Sequence, residues 1–314
     1  MFFGKFMDTE TLIFQQGLHT IRDYIRWGSS RMNEAGVYFG HGTDNAFDEA
    51  AALVLHALHL PPDTHESYFQ ARLLPTEKEA VIALLLRRIQ ERKPAAYLIH
   101  KAWFMGLPFY IDERVLVPRS PLAELIAAQF QPWLKESDGL ERILDLCTGS
   151  GCIGIACAYA FPEVLVTLSD ISKDALAVAQ RNVAEHQLNH RVRLIESDLF
   201  AGLGGERYDI IVSNPPYVSE DEMQDLATEY DHEPRLGLVA GEQGLDSVIQ
   251  ILQQALDYLT PQGLLIVEVG NSQYSLAEAF PELPFTWLNF EQGGDGVFLL
   301  TAQQLAQHFD GLGG

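Results

Sequence analysis

The sequence predicts an α/β protein, a doubly wound parallel sheet with a small helical domain ahead of it, and three observations carry that prediction. From Arg142 onward short apolar runs alternate with amphipathic segments, the order expected of strands joined by crossover helices. The glycine-rich and acidic residues of this half fall directly after the apolar runs, where the carboxyl ends of strands would carry a ligand. Residues 1 to about 93 show helical spacing only, so the expected division is a helical domain over 1–93, a connecting β hairpin over 94–118 and the α/β domain over 119–314.

In the first part, Leu12, Ile13, Leu18, Ile21 and Ile25 predict a helix over 10–29, and Ala50, Leu53, Val54, Ala57 and Leu58 predict one over 46–60 that Pro61-Pro62 stops. A third helix is predicted from about Glu77 to Glu91. Between Ala95 and Arg119 the texture turns aromatic and β-branched, broken by Gly106 and Asp112-Glu113, which predicts the hairpin. Pro118 would end its last strand before a helix from Pro121 to about Phe130.

In the second part, strands are predicted at 143–146, 164–169, 192–196, 208–213 and 264–269, with a last strand near the sheet edge at 297–300. Helices are predicted at 152–159, 173–186 and 244–259, the last closed by Pro261-Gln262-Gly263.

Composition narrows the classes. Hydrophobic residues at 47% and charged residues at 20% describe a chain that buries a core. The net charge of -22 is uneven: residues 1–118 hold 12 basic and 14 acidic side chains, residues 119–314 hold 9 and 29. The second part is poorly equipped to neutralise phosphates and suits a basic protein partner or simple solubility. Cys147, Cys152 and Cys157 form no CxxC pair and no zinc pattern, so reduced thiols in a cytoplasmic protein and no metal are expected. No signal-like start and no apolar run of spanning length is present, so no membrane association is expected.

The first strand runs into Asp145-Leu146-Cys147-Thr148-Gly149-Ser150-Gly151. Gly149 and Gly151 allow close approach of a ligand and unusual dihedrals. With Gly154 they match the spacing GxGxxG, which a NAD site would share. Asp170 ends the second strand, about 20 residues on, where it could accept both hydroxyls of a ribose. Asp198, followed by Leu199, ends the third and could accept an adenine amine, while Asp145 could organise the loop or face a cationic group through water. A line of acceptors suits adenosine joined to a sulfonium-bearing amino acid; a pyrophosphate needs donors.

Asn214-Pro215-Pro216-Tyr217 ends the fourth strand and is the most specific signal in the chain. The two prolines stiffen the segment and aim its carbonyls. The Asn214 side-chain oxygen and the Pro215 carbonyl could bind both hydrogens of a planar NH2 group, whose conjugated nitrogen is a poor nucleophile, and hold it at a methyl donor. Tyr217 would pack on the planar group and exclude water. Beyond it, Glu220, Asp221, Glu222, Asp225, Glu229, Asp231 and Glu233 face a single Arg235, an acidic lip for Lys and Arg of a substrate or a solvated loop face.

On these motifs the chain resembles the glutamine N5-methyltransferases of the bacterial HemK-like family. The resemblance covers nearly the whole chain, from the 94–119 hairpin through the 145–151 loop and Asp170 to Asn214-Tyr217 and Glu233-Pro234. It implies a Rossmann-like class I S-adenosylmethionine-dependent methyltransferase domain preceded by a helical substrate-recognition domain. It implies Asn214, Pro215 and Tyr217 as catalytic residues, and Asp145, Cys147, Thr148, Gly149, Ser150, Gly151, Asp170, Asp198, Leu199 and Asn214 around S-adenosylmethionine. One branch of the family modifies translation release factors and another the third protein of the large ribosomal subunit, L3. Trp27-Gly28-Ser29-Ser30-Arg31, Phe39-Gly40-His41-Gly42-Thr43 and 293–298 look like the L3 branch. So does Pro118-Arg119-Ser120-Pro121, where the release-factor branch reads Pro-Arg-Pro followed by acidic residues, and so does Cys147, where that branch has Gly. The implied partner is basic L3, free or in an assembly intermediate, with no direct DNA binding; monomer and homo-oligomer both stay open. The competing readings are release-factor methylation, DNA adenine N6 methylation, which would need base flipping and a phosphate-binding surface, and a noncatalytic assembly factor.

Overall fold

Thr20 opens the first helix that lies wholly within the residues described by the computed structural model, 17–134, 139–291 and 293–309. The Thr20 hydroxyl accepts the N–H of Asp23 and the Asp23 carboxylate returns the bond to the N–H of Thr20 at 2.8 Å, a reciprocal cap that starts α1 (Ile21–Glu34). Leu12 and Ile13 of the predicted first helix lie outside the described residues. The helix runs five residues past Ser29, and Gly28 within it serves packing, since a Cβ there would stand 2.8 Å from Leu85 Cδ2 and 3.3 Å from Ala50.

Asn45 caps α2 (Ala46–Ala57), and Pro75 sits in the first turn of α3 (Pro75–Glu91). A short α4 (Ala95–Ile99) follows. Tyr24, Leu53, Val54, Val81 and Leu85 are the interior of this helical unit. Inside it Arg88 Nε donates to Glu49 Oε1 at 2.6 Å with both side chains fully buried, and the Thr43 hydroxyl donates to Glu49 Oε2 at 2.7 Å.

The chain divides into two units, Met1–His100 and Lys101–Gly314. The hairpin opens the second unit and is shorter than expected: β1 (Ala102–Phe104) and β2 (Leu107–Phe109) are joined by Met105 and Gly106, both at positive φ, the turn that matches strand twist. The start of the expected hairpin is α4 instead, where Pro94 leads directly into a helix. Val115 and Val117 are buried without being in a strand, and α5 (Leu122–Ala127) ends three residues before Phe130.

The sheet of the second unit has the order β5-β4-β3-β6-β7-β9-β8. Its strands are β3 (Arg142–Leu146), β4 (Leu165–Asp170), β5 (Val192–Glu196), β6 (Tyr208–Ser213), β7 (Leu259–Glu268), β8 (Thr286–Leu288) and β9 (Val297–Thr301). The first five are parallel and β9 and β8 add antiparallel pairs. The helix predicted to close at Pro261-Gln262-Gly263 does end before them, at Tyr258, but these three residues lie within β7, whose pairing with β6 is irregular there. β8, outside β9, was not foreseen; three residues flanked by Pro284 are too short for an alternation to register.

The connecting helices are α6 (Cys152–Ala160), α7 (Lys173–Glu185), α8 (Glu222–Asp225), α9 (Asp246–Tyr258), α10 (Gln273–Ala279) and α11 (Ala302–Phe309). On one face Val248, Ile251 and Leu252 of α9 and Leu305 of α11 bury Leu144, Ile211, Leu265 and Phe298. Gly154 fits α6 closely against β4, since a Cβ would meet Leu168 Cδ2 at 2.1 Å. No helix among the described residues is long and apolar enough to cross a membrane.

Candidate active site

Four neighbouring strands end at one level. Leu146 of β3 is paired with Ser169 of β4 and Ser213 of β6, and Ser213 with Val267 of β7. The next residues, Asp170, Cys147, Asn214 and Glu268, all line one cleft of about 360 Å³. The chain reverses its direction of winding between β3 and β6, which opens a crevice at the carboxyl ends.

The 145–151 loop is braced from below. Asp145 is fully buried; its Oδ2 accepts the Thr148 hydroxyl at 2.5 Å and the Gly154 N–H at 2.8 Å, and burial raises its carboxyl to about 7. Asp145 does not line the cleft, and neither does Gly151, which starts α6 at φ +82°. Both shape the loop from behind. Thr148 lines the cleft, but its hydroxyl is engaged by Asp145 and its N–H by the Ser169 carbonyl. Cys147 holds φ +62° without being glycine, and Leu199 does so at +44°, two strained positions that both line the cleft.

Asp170 is fixed by the backbone: Oδ2 accepts the Gly149 N–H and Oδ1 the Ser172 N–H, each at 2.9 Å, while burial raises its carboxyl above the ordinary range. Asp198 and Leu199 line the same wall. The Ser197 hydroxyl donates to the Leu199 carbonyl at 2.5 Å and holds that turn.

Opposite stands the Asn214-Tyr217 segment. The Ser213 hydroxyl ties it to β3 through the Leu146 carbonyl at 2.6 Å. The N–H groups of Tyr217 and Val218 donate to the Leu238 carbonyl at 3.1 and 2.8 Å, and the Ser272 hydroxyl donates to the Tyr217 carbonyl at 2.8 Å. A Cβ on Gly270 would stand 2.6 Å from the Tyr217 ring, so glycine admits that ring against the backbone. Asn214, Pro216 and Tyr217 line the cleft; Pro215 is buried and is not among the lining residues.

Several residues of this cleft carried little sequence signal. The 114–120 segment and 236–239 form part of its wall. Arg119 clamps Glu233 with two bonds of 2.6 Å, and Glu233 Oε1 also accepts the Val117 N–H at 3.0 Å. The expected acidic lip is accordingly thinner: Glu229 and Glu233 are interior, Glu222 pins Ser219, and Glu220, Asp221, Asp225 and Asp231 are exposed. Glu268 is the other addition, a buried carboxyl inside the apolar run 264–269, and that interruption was the only signal of it.

The methyltransferase small domain family matches residues 127–230. A ribosomal protein uL3 glutamine methyltransferase of Francisella tularensis subsp. tularensis is 53% identical over 93% of this chain and 93% of its own length. One of Xylella fastidiosa (strain Temecula1) is 55% identical over the same shares. The chain belongs to the ribosomal protein uL3 glutamine methyltransferase family. A solved methyltransferase from Pyrococcus furiosus superposes at a TM-score of 0.43, with 21% identity over 63% of this chain and 89% of that one.

As a member of this family the protein is a methyltransferase of the Rossmann-like class I fold, with S-adenosylmethionine as methyl donor. The cleft suits that donor better than a dinucleotide. The Gly149 N–H, which a phosphate would take, is given to Asp170, and both arginines at the cleft are held by carboxylates, Arg114 by Asp112 and Arg119 by Glu233. What remains is carboxylate from Asp170 and Asp198 and open space where Gly149 lacks a Cβ. Among the described residues no group of three or more His, Cys, Asp or Glu is placed to hold a metal ion.

Proposed function

We propose that the protein methylates the side-chain amide nitrogen, N5, of a glutamine in ribosomal protein uL3. The observation that carries this reading is the shared level of Asp170, Cys147 and Asn214 at three adjacent strand ends, with the stiff Asn214-Pro215-Pro216-Tyr217 segment in a chain whose relatives bear that activity in their names.

S-adenosylmethionine supplies an electrophilic methyl group on a sulfonium. Asp170 would accept its ribose hydroxyls and Asp198 its adenine amine, with Cys147, Thr148, Gly149, Ser150 and Leu199 around them, while Asp145 and Gly151 hold the loop's shape. The Asn214 side-chain oxygen and the Pro215 carbonyl would accept the two amide hydrogens of the glutamine and turn its nitrogen toward the methyl group. As the N–CH3 bond forms, positive charge grows on that nitrogen, and the two oxygens stabilise it without reorganising. Tyr217 packs beside the amide and keeps water out. The methylated nitrogen is acidic and releases one proton, leaving N5-methylglutamine and S-adenosylhomocysteine.

We assign substrate recognition to the helical part, residues 1 to about 93. The substrate would be met in the cytoplasm, as free uL3 or in an assembly intermediate, and not on DNA or a membrane. The charge supports this, because residues 119–314 hold 29 acidic against 9 basic side chains. The test is mass analysis of purified uL3 after incubation with enzyme and S-adenosylmethionine. A gain of about 14 Da, one CH2 equivalent, on a single glutamine is expected from transfer to a conjugated nitrogen. No gain on uL3, or a gain on release factor or on adenine in DNA, overturns the assignment.

A further inference from the structure

Glu268 is the one cleft residue of the four-strand row to which the transfer chemistry gives no task. It ends β7 at the level where Asn214 follows β6, because Ser213 and Val267 are paired. The residue is 6% exposed, and both carboxyl oxygens are used. Oε2 accepts the Ser120 hydroxyl at 2.5 Å and Oε1 the Tyr217 hydroxyl at 3.3 Å. A carboxyl buried only to fill space would cost several kcal/mol per charge where an apolar residue costs nothing. The other residues of 264–269 are apolar.

We propose that Glu268 is a positioning residue of the substrate clamp, holding the Tyr217 ring by its hydroxyl and fastening the Pro118–Pro121 segment to the same strand end through Ser120. Two walls of the cleft are thereby joined at one side chain. The Tyr217 ring is confined by Gly270 on one side and by this hydrogen bond at its tip, so its plane is set before a substrate amide arrives. Ser120 lies within Pro118-Arg119-Ser120-Pro121, and its hydroxyl also accepts the Leu122 N–H at 3.2 Å, so the segment leading into α5 is anchored at the same point. The role acts through Tyr217 and rests on the amide-transfer reading above.

Charge gives the device a pH signature. Burial raises the Glu268 carboxyl to about 7, against the Ser120 and Tyr217 hydrogen bonds and the Arg119 guanidinium, which favour ionisation. Arg119 is itself paired with Glu233 and stands over the Tyr230 ring, so its field at Glu268 is shared. The ionised carboxylate accepts from both hydroxyls at once; the protonated acid has one oxygen occupied by its own proton. Transfer is therefore expected to fall as pH drops through about 7.

The experiment compares the parent with E268A, E268Q, S120A, Y217F and Y217F/E268Q, measuring donor affinity by calorimetry and kcat and KM on uL3 from pH 6 to 9. Expected is parent-like donor affinity throughout, with kcat for E268A lower by about 10- to 100-fold, the scale of a lost positioning contact. E268Q, which keeps one acceptor oxygen, is expected to recover part of this at pH 8 and to lose the acid limb. The double variant is expected to be no worse than its poorer single, since both changes break one contact. Should E268A prove too unstable to assay, E268Q and S120A carry the test. Parent kcat and an unaltered pH profile in E268Q and S120A, or strictly additive losses in the double variant, overturn the proposal. A parent enzyme that adds no methyl group to uL3 sinks the functional reading instead, so the two failures are distinguishable.

Discussion

The Gly149 N–H donates to Asp170 Oδ2 at 2.9 Å across two adjacent strand-to-helix turns. One carboxylate thus fixes the glycine loop and keeps lone pairs for a ligand. D170A removes both functions, and donor affinity is expected to fall by about 10- to 100-fold, the scale of one or two hydrogen bonds to a charged acceptor. Calorimetric titration with S-adenosylhomocysteine measures this; an unchanged Kd would reduce Asp170 to a structural residue.

Asn214 is held by its neighbours rather than by its own side chain, since Ser213 is anchored to Leu146 and Tyr217 to Leu238. N214A should leave the segment and donor binding intact while kcat falls by roughly 10²- to 10³-fold, the cost of one preorganised acceptor. Transfer of labelled methyl groups to uL3 is the assay, and parent-like turnover removes Asn214 from the clamp.

Cys147 occupies the left-handed region at φ +62°, a conformation costing a residue with a Cβ about 1–2 kcal/mol. C147G relieves that strain and gives back about 0.5–1 kcal/mol in unfolded-state entropy, so its melting temperature should match or slightly exceed the parent's. C147V, β-branched in the same conformation, should be destabilised by about 2 kcal/mol or more. Thermal melts decide it, and equal effects of the two changes would contradict the strain argument.

Asp145 predicts a direction for stability against pH. Its folded carboxyl is raised from 3.8 to about 7 by burial, so between those values the folded state binds a proton that the unfolded state has released. Stability from this group therefore falls as pH rises through that window, and the full cost is present above about 7. D145N should flatten the difference between urea midpoints at pH 5 and pH 8; a difference unaltered by the substitution would assign it elsewhere.

Arg88 and Glu49 are fully buried against each other in the helical unit. R88M leaves a buried carboxylate with the Thr43 hydroxyl and no guanidinium, a loss of about 3–5 kcal/mol, whereas R88M/E49L should recover most of it. Hydrogen exchange of the α1–α3 amides in the full chain reports the change, and a double variant as poor as R88M would refute it.

Strands β5 and β6 were legible to the residue, because each centres on apolar residues, Leu194-Ile195 in one and Ile210-Ile211-Val212 in the other, and is followed by turn-forming residues, Ser197-Asp198 and Asn214-Pro215. The loop glycines and Asp170 were legible for the same reason. Glu268 was not, since its place beside Asn214 depends on the register of β6 against β7, a relation between segments about 50 residues apart that local periodicity does not carry. Arg119 and Glu233 are 114 positions apart, and no spacing rule joins them. Asp145 and Pro215 belong to the same two motifs, yet both are buried and neither is among the residues that line the cleft, a depth that motif spacing does not carry.

Tyr208 and Ile210 are two residues apart in β6, while their partners in β7, Leu259 and Leu264, are five apart. The surplus around Pro261-Gln262-Gly263 works as an expansion joint. Length changes between Leu259 and Leu264 can be taken up there without moving the tip of the strand. The β3 and β6 segments that deliver Cys147 and Asn214 have no such slack over 143–146 and 210–213, so a single inserted residue would turn their tips to the opposite face. Tolerance to insertion should therefore be sharply asymmetric across this sheet, generous before Leu264 and absent before Asn214.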